Sequence, residues 1–427
     1  MKLSDLIDFN PKRPLEKGTL APFIEMADLP EGERDVSGIG NRVFNGGGSK
    51  FKNGDTLFAR ITPCLENGKT AKVSGLPDNA IGHGSTEFIV MAAKDPSVDE
   101  DFVYYVARHP EFRAYAKGRM EGTSGRQRVS WQAISDYEIP DFSSLERRGI
   151  GSVLSSMDNL ISNNRRVNQA LEAMARAVFK AWFVDFEPVR AKMEGRWKRG
   201  ESLPGLPAHL YDLFPDRLVD SELGEIPEGW EMRSLDSIAN YLNGLALQKF
   251  PPESETEFLP VIKIAQLRAG NTNGADKAST QIKPEYVVVD GDVLFSWSGS
   301  LEVEVWNGGR GALNQHLFKV TSNEVPKWFY FFATRQHLSD FRAIAAGKAT
   351  TMGHIQRKHL TDARIAVAPP ESMKKFDAVI ASQFDQLVSN AQQSRSLAQL
   401  RDTLLPKLIS GELRIKDAEA FLKERGL

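Results

Sequence analysis

Cysteine is almost missing from this chain of 427 residues, in which Cys64 is the single cysteine. One thiol allows neither an intrachain disulfide nor a cysteine-based zinc site, which fits a protein that works in the reducing cytoplasm. Long apolar runs are missing too, so we expect no segment that crosses a membrane. Residues 1–5 carry no signal-peptide pattern, which agrees with a cytoplasmic location.

An excess of either charge is also missing. The 54 lysines and arginines are balanced by 56 aspartates and glutamates, which gives a formal net charge of −2. A polyanion would therefore have to bind at local basic patches, or partly at positive charge supplied by another subunit. Hydrophobic residues make up 41% of the chain, which at this length provides core for more than one domain.

Catalytic motifs are missing as well. A DNA amino-methyltransferase needs an Asn/Asp-Pro-Pro-aromatic tetrapeptide to hold the target amino group, but the Pro-Pro pairs lie in Phe-Pro-Pro-Glu at 250–253 and Ala-Pro-Pro-Glu at 368–371. A nuclease of the PD-(D/E)xK type needs an acidic-x-Lys triplet, and the sequence contains none. The glycine-rich stretches at 46–48 and 307–311 match neither a P-loop nor a GxGxxG turn. We therefore predict no catalytic, cofactor-binding or metal-binding residues.

What is present is a long helical stretch that contains no proline and ends before Pro188. Its start carries the capping-box pair Ser143 and Glu146. Its seam repeats every seven residues, at Ile150, Met157, Asn164, Leu171 and Val178. A heptad seam this long needs a partner helix, and a second amphipathic run from Ser372 provides it. Asn164 either fixes the register of the pair or fills a satisfied polar gap, and the pattern leaves both interpretations open.

The chain as a whole shows an internal repeat. Residues 22–29, 54–59 and 134–136 recur at 260–267, 291–296 and 360–362, with offsets of 238, 237 and 226. We therefore predict a mixed α/β fold, with two repeated globular α/β domains joined by two long helices that form an antiparallel intramolecular coiled coil. The predicted boundaries are 1–142 and 230–370 for the domains, 143–187 and 371–410 for the helices, 188–229 for a linker, and 411–427 for a C-terminal tail. The linker is either an ordered loop packed along the helices or a flexible tether.

Basic side chains cluster in corresponding windows of the two repeats. Lysine and arginine among threonine, serine and glutamine can neutralise phosphates and reach base edges. A solvated helix face would look the same for any single residue, but the bias shared by both copies favours DNA binding. Candidate DNA-binding residues of the first domain are Arg60, Lys69, Arg113, Lys117, Arg119, Arg126 and Arg128. Those of the second domain are Trp297, Arg310, Gln315, Lys348, His354, Arg357 and Lys358.

Three phrases, taken in this order, resemble the specificity (S) subunit of type I restriction–modification enzymes. They are residues 54–69, the helix end at 178–188 and the closing phrase at 404–413, and the resemblance covers essentially the full length. It implies that the globular domains are target-recognition domains, each of which reads one half of a bipartite target in double-stranded DNA. It also implies that the coiled coil sets the spacing between the half-sites and docks two modification subunits.

The same resemblance implies where the chemistry of the restriction system is carried out. The modification subunits would bind S-adenosylmethionine and methylate adenine, and restriction subunits would join with ATP and Mg. This chain would be non-catalytic and would hold no cofactor. Two alternatives are weaker: a self-contained DNA-modifying enzyme needs the missing methyltransferase motifs, and a structural coiled-coil scaffold does not explain two repeated domains. The target sequence does not follow, because recognition domains of this family differ greatly between members.

Overall fold

The computed structural model describes residues 1–123, 125–222, 224–347 and 353–424, and the chain divides into two compact units. Unit 1 comprises Met1–Ser162 and Ser396–Leu427, and unit 2 comprises Asn163–Arg395. Two long helices, α5 (Ser144–Phe183) and α12 (Pro370–Ile409), contribute to both units. No helix in the described ranges combines the length and apolar character that a membrane span requires.

Unit 1 combines short helices with two sheets. Its other helices are α1 (Leu3–Leu6), α2 (Pro96–Arg108), α3 (Pro110–Lys117), α4 (Trp131–Ser135) and, after α12, α13 (Ile415–Glu424). Its strands are β1 (Ile7–Phe9), β2 (Leu20–Ile24), β3 (Gly40–Val43), β4 (Ser49–Phe51), β5 (Thr56–Ala59), β6 (Thr70–Lys72), β7 (Gly82–Gly84) and β8 (Phe88–Ala93). The sheet orders are β1-β8-β5-β6 and β3-β2-β7-β4, in which only the β2–β7 pair is parallel among the described strands.

Unit 2 contains the same arrangement with additions. Its helices besides α5 and α12 are α6 (Glu187–Met193), α7 (Leu235–Ile238), α8 (Ile264–Ala269), α9 (Lys327–Gln336), α10 (Leu338–Ala346) and α11 (Arg357–Asp362). Its strands are β9 (Leu218–Ser221), β10 (Gly224–Pro227), β11 (Glu231–Ser234), β12 (Asn240–Asn243), β13 (Leu259–Ile262), β14 (Lys277–Ala278), β15 (Val287–Val288), β16 (Val293–Ser296), β17 (Val303–Val305), β18 (Gly311–Leu313), β19 (Leu317–Thr321) and β20 (Arg364–Val367).

The duplication is visible in the strand order. The sheets β12-β19-β16-β17 and β14-β13-β18-β15 of unit 2 repeat the two sheets of unit 1 strand for strand. The parallel pair recurs as well, since β13 pairs with β18 as β2 pairs with β7. Because a shared parallel pair at the same place requires the same crossover connection, the repeat predicted from short sequence phrases is a repeat of the whole domain fold.

Strand β8 shows why each domain needs two apolar layers. Side chains alternate between the two faces of a strand, and in β8 both faces are buried. Ile89 and Met91 pack in the core that includes Phe102 of α2. Phe88 and Val90 pack on the other face, in the cluster that also contains residues of the second sheet. A continuous apolar run is the expected signature of such a doubly covered strand.

The ends of the long helices differ slightly from the prediction. Ser143 and Glu146 form the predicted capping box, with Ser143 N donating to the Glu146 carboxylate at 2.9 Å and Glu146 N donating to Ser143 Oγ at 3.3 Å. The first helix ends at Phe183 rather than at residue 187. Pro188 lies in the first turn of α6, where a missing N–H removes no helical hydrogen bond. The second helix, predicted at 371–410, spans Pro370–Ile409.

Asn164 is tied to the partner helix within unit 2. Its Nδ2 donates to Gln393 Oε1 at 2.8 Å, and Nδ2 of Asn168 donates to the backbone oxygen of Leu387 at 2.9 Å. Later residues of α5 therefore contact earlier residues of α12, so the two helices run antiparallel. Because these amides are satisfied only in one alignment, they support the interpretation of Asn164 as a register-fixing residue.

The stretch 188–229 is packed in the described part of the chain, which corresponds to the ordered alternative for the linker. Trp197 is 1% exposed, and its Nε1 donates to the backbone oxygen of Glu201 at 2.9 Å. The ring of Phe214 packs at a tilt against that of Phe376 of α12, with centroids 5.0 Å apart. Strands β9 and β10 pair as an antiparallel hairpin. These residues are part of the core of unit 2.

Candidate nucleic-acid interface

Two separate stretches of unit 1 carry candidate residues to one surface. Loop A (residues 60–69) follows β5, and segment B (residues 125–129) precedes α4. Thr62 N donates to the backbone oxygen of Gln127 at 3.1 Å, and Gln127 N donates back to Thr62 Oγ1 at 3.2 Å. The two residues that these bonds join lie 65 residues apart in sequence. Four candidates, Arg60, Lys69, Arg126 and Arg128, are therefore carried on two joined segments.

Arg126 and Arg128 differ in their partners. Nε and Nη2 of Arg128 donate to the carboxylate of Glu87 at 2.7–3.0 Å, and Nη1 donates to the backbone oxygen of Arg126 at 3.2 Å. The hydrogen bond to Glu87 and its negative charge raise the pKa of the Arg128 guanidinium. The Arg126 side chain is exposed and forms no ion pair or side-chain hydrogen bond within the described residues. Arg126 therefore offers an uncompensated charge, and Arg128 offers a guanidinium of fixed orientation.

Loop A lies against helix α3, whose Arg113 approaches the loop at Gly68. Gly68 has φ of +76°, and a Cβ added there would lie 2.3 Å from Nη1 of Arg113. Arg113 is half-buried, so it supports the turn at Gly68 as well as facing the surface. Lys69 Nζ donates to the backbone oxygen of Met26 at 3.0 Å. Both cations thus have structural contacts that sequence alone did not indicate.

The remaining candidates of unit 1 have local partners. Lys117 Nζ lies 2.9 Å from Glu66 Oε1, and the Arg119 guanidinium lies over the ring of Tyr115, 3.3 Å from its centroid. Both Lys117 and Arg119 are exposed. Exposed contacts that lack the bidentate geometry of an arginine–carboxylate pair are weak in water and exchange partners readily, so either cation can turn to a phosphate.

Unit 2 has a cluster of three aromatic rings at the corresponding place, those of Trp297, His316 and His354, which we call the Trp297 cluster. Trp297 follows β16, and its Nε1 donates to Asn243 Oδ1 at 2.9 Å. The rings of His316 and His354 lie 5.9 and 6.3 Å from that of Trp297, measured between centroids. Ser298 Oγ and His316 Nδ1 are 3.0 Å apart. Asn243 carries no signal in the sequence, because its role depends on a contact 54 residues away.

The two surfaces share a backbone scaffold. In unit 1, Arg60 N donates to the Glu87 oxygen at 3.0 Å, and Val129 N donates to the Arg60 oxygen at 2.9 Å. In unit 2, Trp297 N donates to the His316 oxygen at 3.3 Å, and Ile355 N donates to the Trp297 oxygen at 3.0 Å. Antiparallel bridges from Ile61 to Arg128 and from Ser298 to His354 complete the match. The equivalent pairs are Arg60 and Trp297, Glu87 and His316, and Arg128 and His354.

Other candidates of unit 2 are dispersed. Arg310 precedes β18 and Gln315 follows it, so they lie at opposite ends of that strand and the structure does not bring them together. Gln315 adjoins the cluster, with its Nε2 3.4 Å from His316 Nε2. Arg357 donates to the backbone oxygen of Tyr241 at 3.2 Å, and Lys358 is exposed. Lys348 lies outside the described residues.

The chain is similar to known proteins in sequence and in structure. A family model described as the type I restriction modification DNA specificity domain matches residues 227–400. The MjaIX specificity subunit of a Methanocaldococcus jannaschii type I restriction enzyme is 26% identical over 332 residues, covering 76% of this chain and 71% of the relative. The HindI specificity subunit of Haemophilus influenzae is 24% identical over 410 residues, covering 85% and 87%.

These matches confirm the resemblance to the specificity subunits of type I restriction–modification systems. The crystal structure of an S subunit from M. genitalium covers 96% of this chain and 95% of its own with a TM-score of 0.52 at 15% identity, which supports the shared fold. These curated relatives are named as specificity subunits of type I restriction enzymes. Within the described residues, no group of three or more His, Cys, Asp and Glu side chains is placed to hold a metal ion.

Proposed function

We propose that the surface of loop A and segment B in unit 1 reads one half of a bipartite DNA target. The Trp297 cluster of unit 2 reads the other half. The observation that carries this proposal is the common backbone scaffold, on which the side chains differ at equivalent positions. A scaffold that stays constant while its side chains change is what two readers of different sequences require.

Phosphate contacts would come from the exposed cations around each reading surface. In unit 1 these are Lys117, Arg119 and Arg126, and in unit 2 Lys358 is exposed beside the cluster. Such cations position a protein on the duplex without selecting sequence. The net charge of −2 is low for a protein that holds DNA alone, so we propose that the modification subunits share this task.

The long helices are proposed to set the spacing of the half-sites and to dock two modification subunits. The satisfied amides of Asn164 and Asn168 support this role, because they restrict the helices to one register. S-adenosylmethionine would be bound by the modification subunits, and restriction subunits with ATP and Mg would complete the assembly. The chain itself would act in the cytoplasm as a subunit that recognises DNA.

Exchange of one recognition domain tests this proposal. Residues 230–370 are replaced by the corresponding domain of a relative, and methylated sites are mapped in the DNA of a host that also makes the modification partner. One half of the methylated sequence should change and the other half should persist. The reciprocal exchange of residues 1–142 is the matched control and should change the opposite half. A change of both halves in either chimaera would contradict independent reading.

A further inference from the structure

The guanidinium of Arg128 has three of its donors already engaged. Nε faces both carboxylate oxygens of Glu87 at 2.9 and 3.0 Å, and Nη2 donates to Glu87 Oε1 at 2.7 Å. Nη1 donates to the backbone oxygen of Arg126 at 3.2 Å. A guanidinium carries five N–H groups. Two therefore remain, one on each terminal nitrogen, on a side chain that is 42% exposed.

Two donors on neighbouring nitrogens suit two neighbouring acceptors. In the major groove, guanine presents O6 and N7 together, and arginine bound to both is the commonest specific contact between proteins and DNA. Such a contact requires the guanidinium to be held in one plane, since each mobile torsion has to be fixed on binding. Glu87 and the Arg126 backbone hold Arg128 from two sides before DNA arrives.

Charge argues against a simple phosphate contact at Arg128. Affinity for phosphates comes from neutralising them and releasing counterions, but Glu87 already neutralises this guanidinium at 2.7 Å. The neighbouring Arg126 is exposed and has no ion-pair partner in the described ranges, so it retains that capacity. Two arginines two residues apart are thus suited to different tasks, Arg126 to phosphate and Arg128 to a base.

Unit 2, the second copy of the fold, also supports the assignment of Arg128 to a base rather than to a phosphate. On the matching scaffold of unit 2, the positions of Glu87 and Arg128 are occupied by His316 and His354. The backbone bonds are kept and the carboxylate–guanidinium pair is replaced as a pair. A pair that only stabilised the fold would have no reason to be confined to one copy of the scaffold.

We propose that Arg128 reads a guanine in the half-site of unit 1 and that Glu87 is its positioning residue. The inference rests on the proposed function, because it assigns a base-reading role within that surface. Removing the carboxylate should both relax the choice of base and free a positive charge. A residue that merely stabilised the fold would produce neither effect in a folded variant.

The experiment uses the full chain assembled with its modification partner. Methylation of a library randomised in both half-sites gives the base preference, and binding to a fixed target at several salt concentrations gives the salt slope. Variants are Glu87→Gln, Arg128→Lys and Arg126→Ala. Arg199→Ala is the matched control, because Arg199 is an exposed arginine whose Nη1 donates to Asp212 at 2.8 Å in the stretch 188–229. Thermal unfolding establishes that each variant is folded.

Both Glu87→Gln and Arg128→Lys should weaken the preference for guanine at one position of one half-site by about 5- to 150-fold. Glu87→Gln should also steepen the salt slope by up to about one unit, since a freed Arg128 can reach a phosphate. Arg126→Ala should reduce the slope by about one unit with the base preference unchanged, and Arg199→Ala should change neither quantity.

The inference is overturned if Arg128→Lys and Glu87→Gln leave every base preference intact. It is also overturned if the half-site of unit 1 contains no guanine with which these variants interfere. In both cases the wild-type complex would still methylate a bipartite sequence, so the proposed function would stand. Failure of the proposed function would instead appear as methylation by the wild-type complex without any fixed sequence.

Discussion

Arg401 and Asp158 form a buried ion pair in unit 1, although 243 residues separate them in the chain. Their side chains are 4% and 3% exposed. The hydroxyl of Tyr105 donates to the second oxygen of Asp158 at 2.6 Å, so the carboxylate is bound from both sides. The pair joins the first long helix to the second and fixes their alignment in this unit.

The first prediction follows from the burial of this pair. Asp158→Leu should lower the free energy of unfolding by about 3–5 kcal/mol, because it removes the buried partner of Arg401 and leaves that buried charge paired with Asp402, which is 57% exposed. The double variant Asp158→Leu/Arg401→Met should recover most of that loss, since no charge then remains inside. Chemical unfolding of Asp158→Leu, Arg401→Met and the double variant measures both values. A double variant as unstable as the sum of the single variants would show that the pair is not coupled.

A contact can be predicted from the sequence when the residues that form it lie close together in the chain. The Ser143–Glu146 cap was predicted and confirmed, because both partners lie within one helical turn. The Arg401–Asp158 pair was not predicted, because each residue alone looks like a solvated charge on a helix.

The same difference between local and distant contacts decides what could be predicted about the candidate interface. The sequence indicated the candidate segments but not their contact, and in the structure segment B joins loop A in unit 1. Sequence could not separate Arg128 from Arg126, because the difference is Glu87, which approaches from a distant strand end. The sequence also could not show that β18 separates Arg310 from Gln315. A strand of three residues is too short to be identified from a sequence pattern.

A second prediction concerns the turn of loop A. Gly68→Ala should destabilise unit 1 and weaken DNA binding, because the new Cβ meets both an unfavourable φ of +76° and the guanidinium of Arg113 at 2.3 Å. Backbone strain alone costs about 1–2 kcal/mol. Gly18→Ala is the matched control, since its φ is +94° but no atom lies within 4 Å of the added Cβ. Thermal unfolding and DNA binding are measured for both.

The comparison of the two glycine variants isolates the contact with Arg113. We expect Gly18→Ala to lose stability through strain alone and to leave DNA binding unchanged. We expect Gly68→Ala to lose more stability and also affinity. Equal effects on stability with no loss of affinity in either variant would show that Arg113 does not support the DNA-facing side of loop A.

A third prediction concerns pH. His109 is 2% exposed, burial lowers the pKa of its imidazole, and its Nδ1 has no hydrogen-bond partner within the described residues. The folded state therefore binds a proton less readily than the unfolded state, whose histidine titrates near pH 6.5. The stability that His109 contributes is present above about pH 6.5 and is lost as the pH falls from there toward the lower folded pKa.

Replacement of His109 should therefore flatten the stability profile on the acid side. His109→Gln should reduce the dependence of the unfolding free energy on pH between about 6.5 and 5, although buried glutamine lowers stability at pH 7.5. His209→Gln is the control, because His209 is exposed. Denaturant unfolding at several pH values measures the slope. An unchanged slope in His109→Gln would assign the acid sensitivity to other groups.

The last prediction addresses the spacing of the half-sites. Seven residues added to an α-helix lengthen it by about 10.5 Å and preserve the phase of a heptad seam. We consider one heptad inserted after Ser162 of α5 and one after Arg395 of α12, because the boundary between the two units falls at these positions in both helices. Insertions there leave the Asn164–Gln393 bond and the Arg401–Asp158 pair within intact segments.

If the helices set the spacing, the preferred gap between half-sites should grow by about three base pairs, at a rise of 3.4 Å each. Both half-sites should keep their sequences, which methylation mapping in a host with the modification partner determines directly. A heptad inserted in α5 alone is the control and should abolish assembly, because Asn164 and Asn168 would lose their partners on α12. An unchanged gap in a doubly extended chain that still assembles would show that the spacing is set elsewhere, and the stretch 188–229 would then be the next segment to vary.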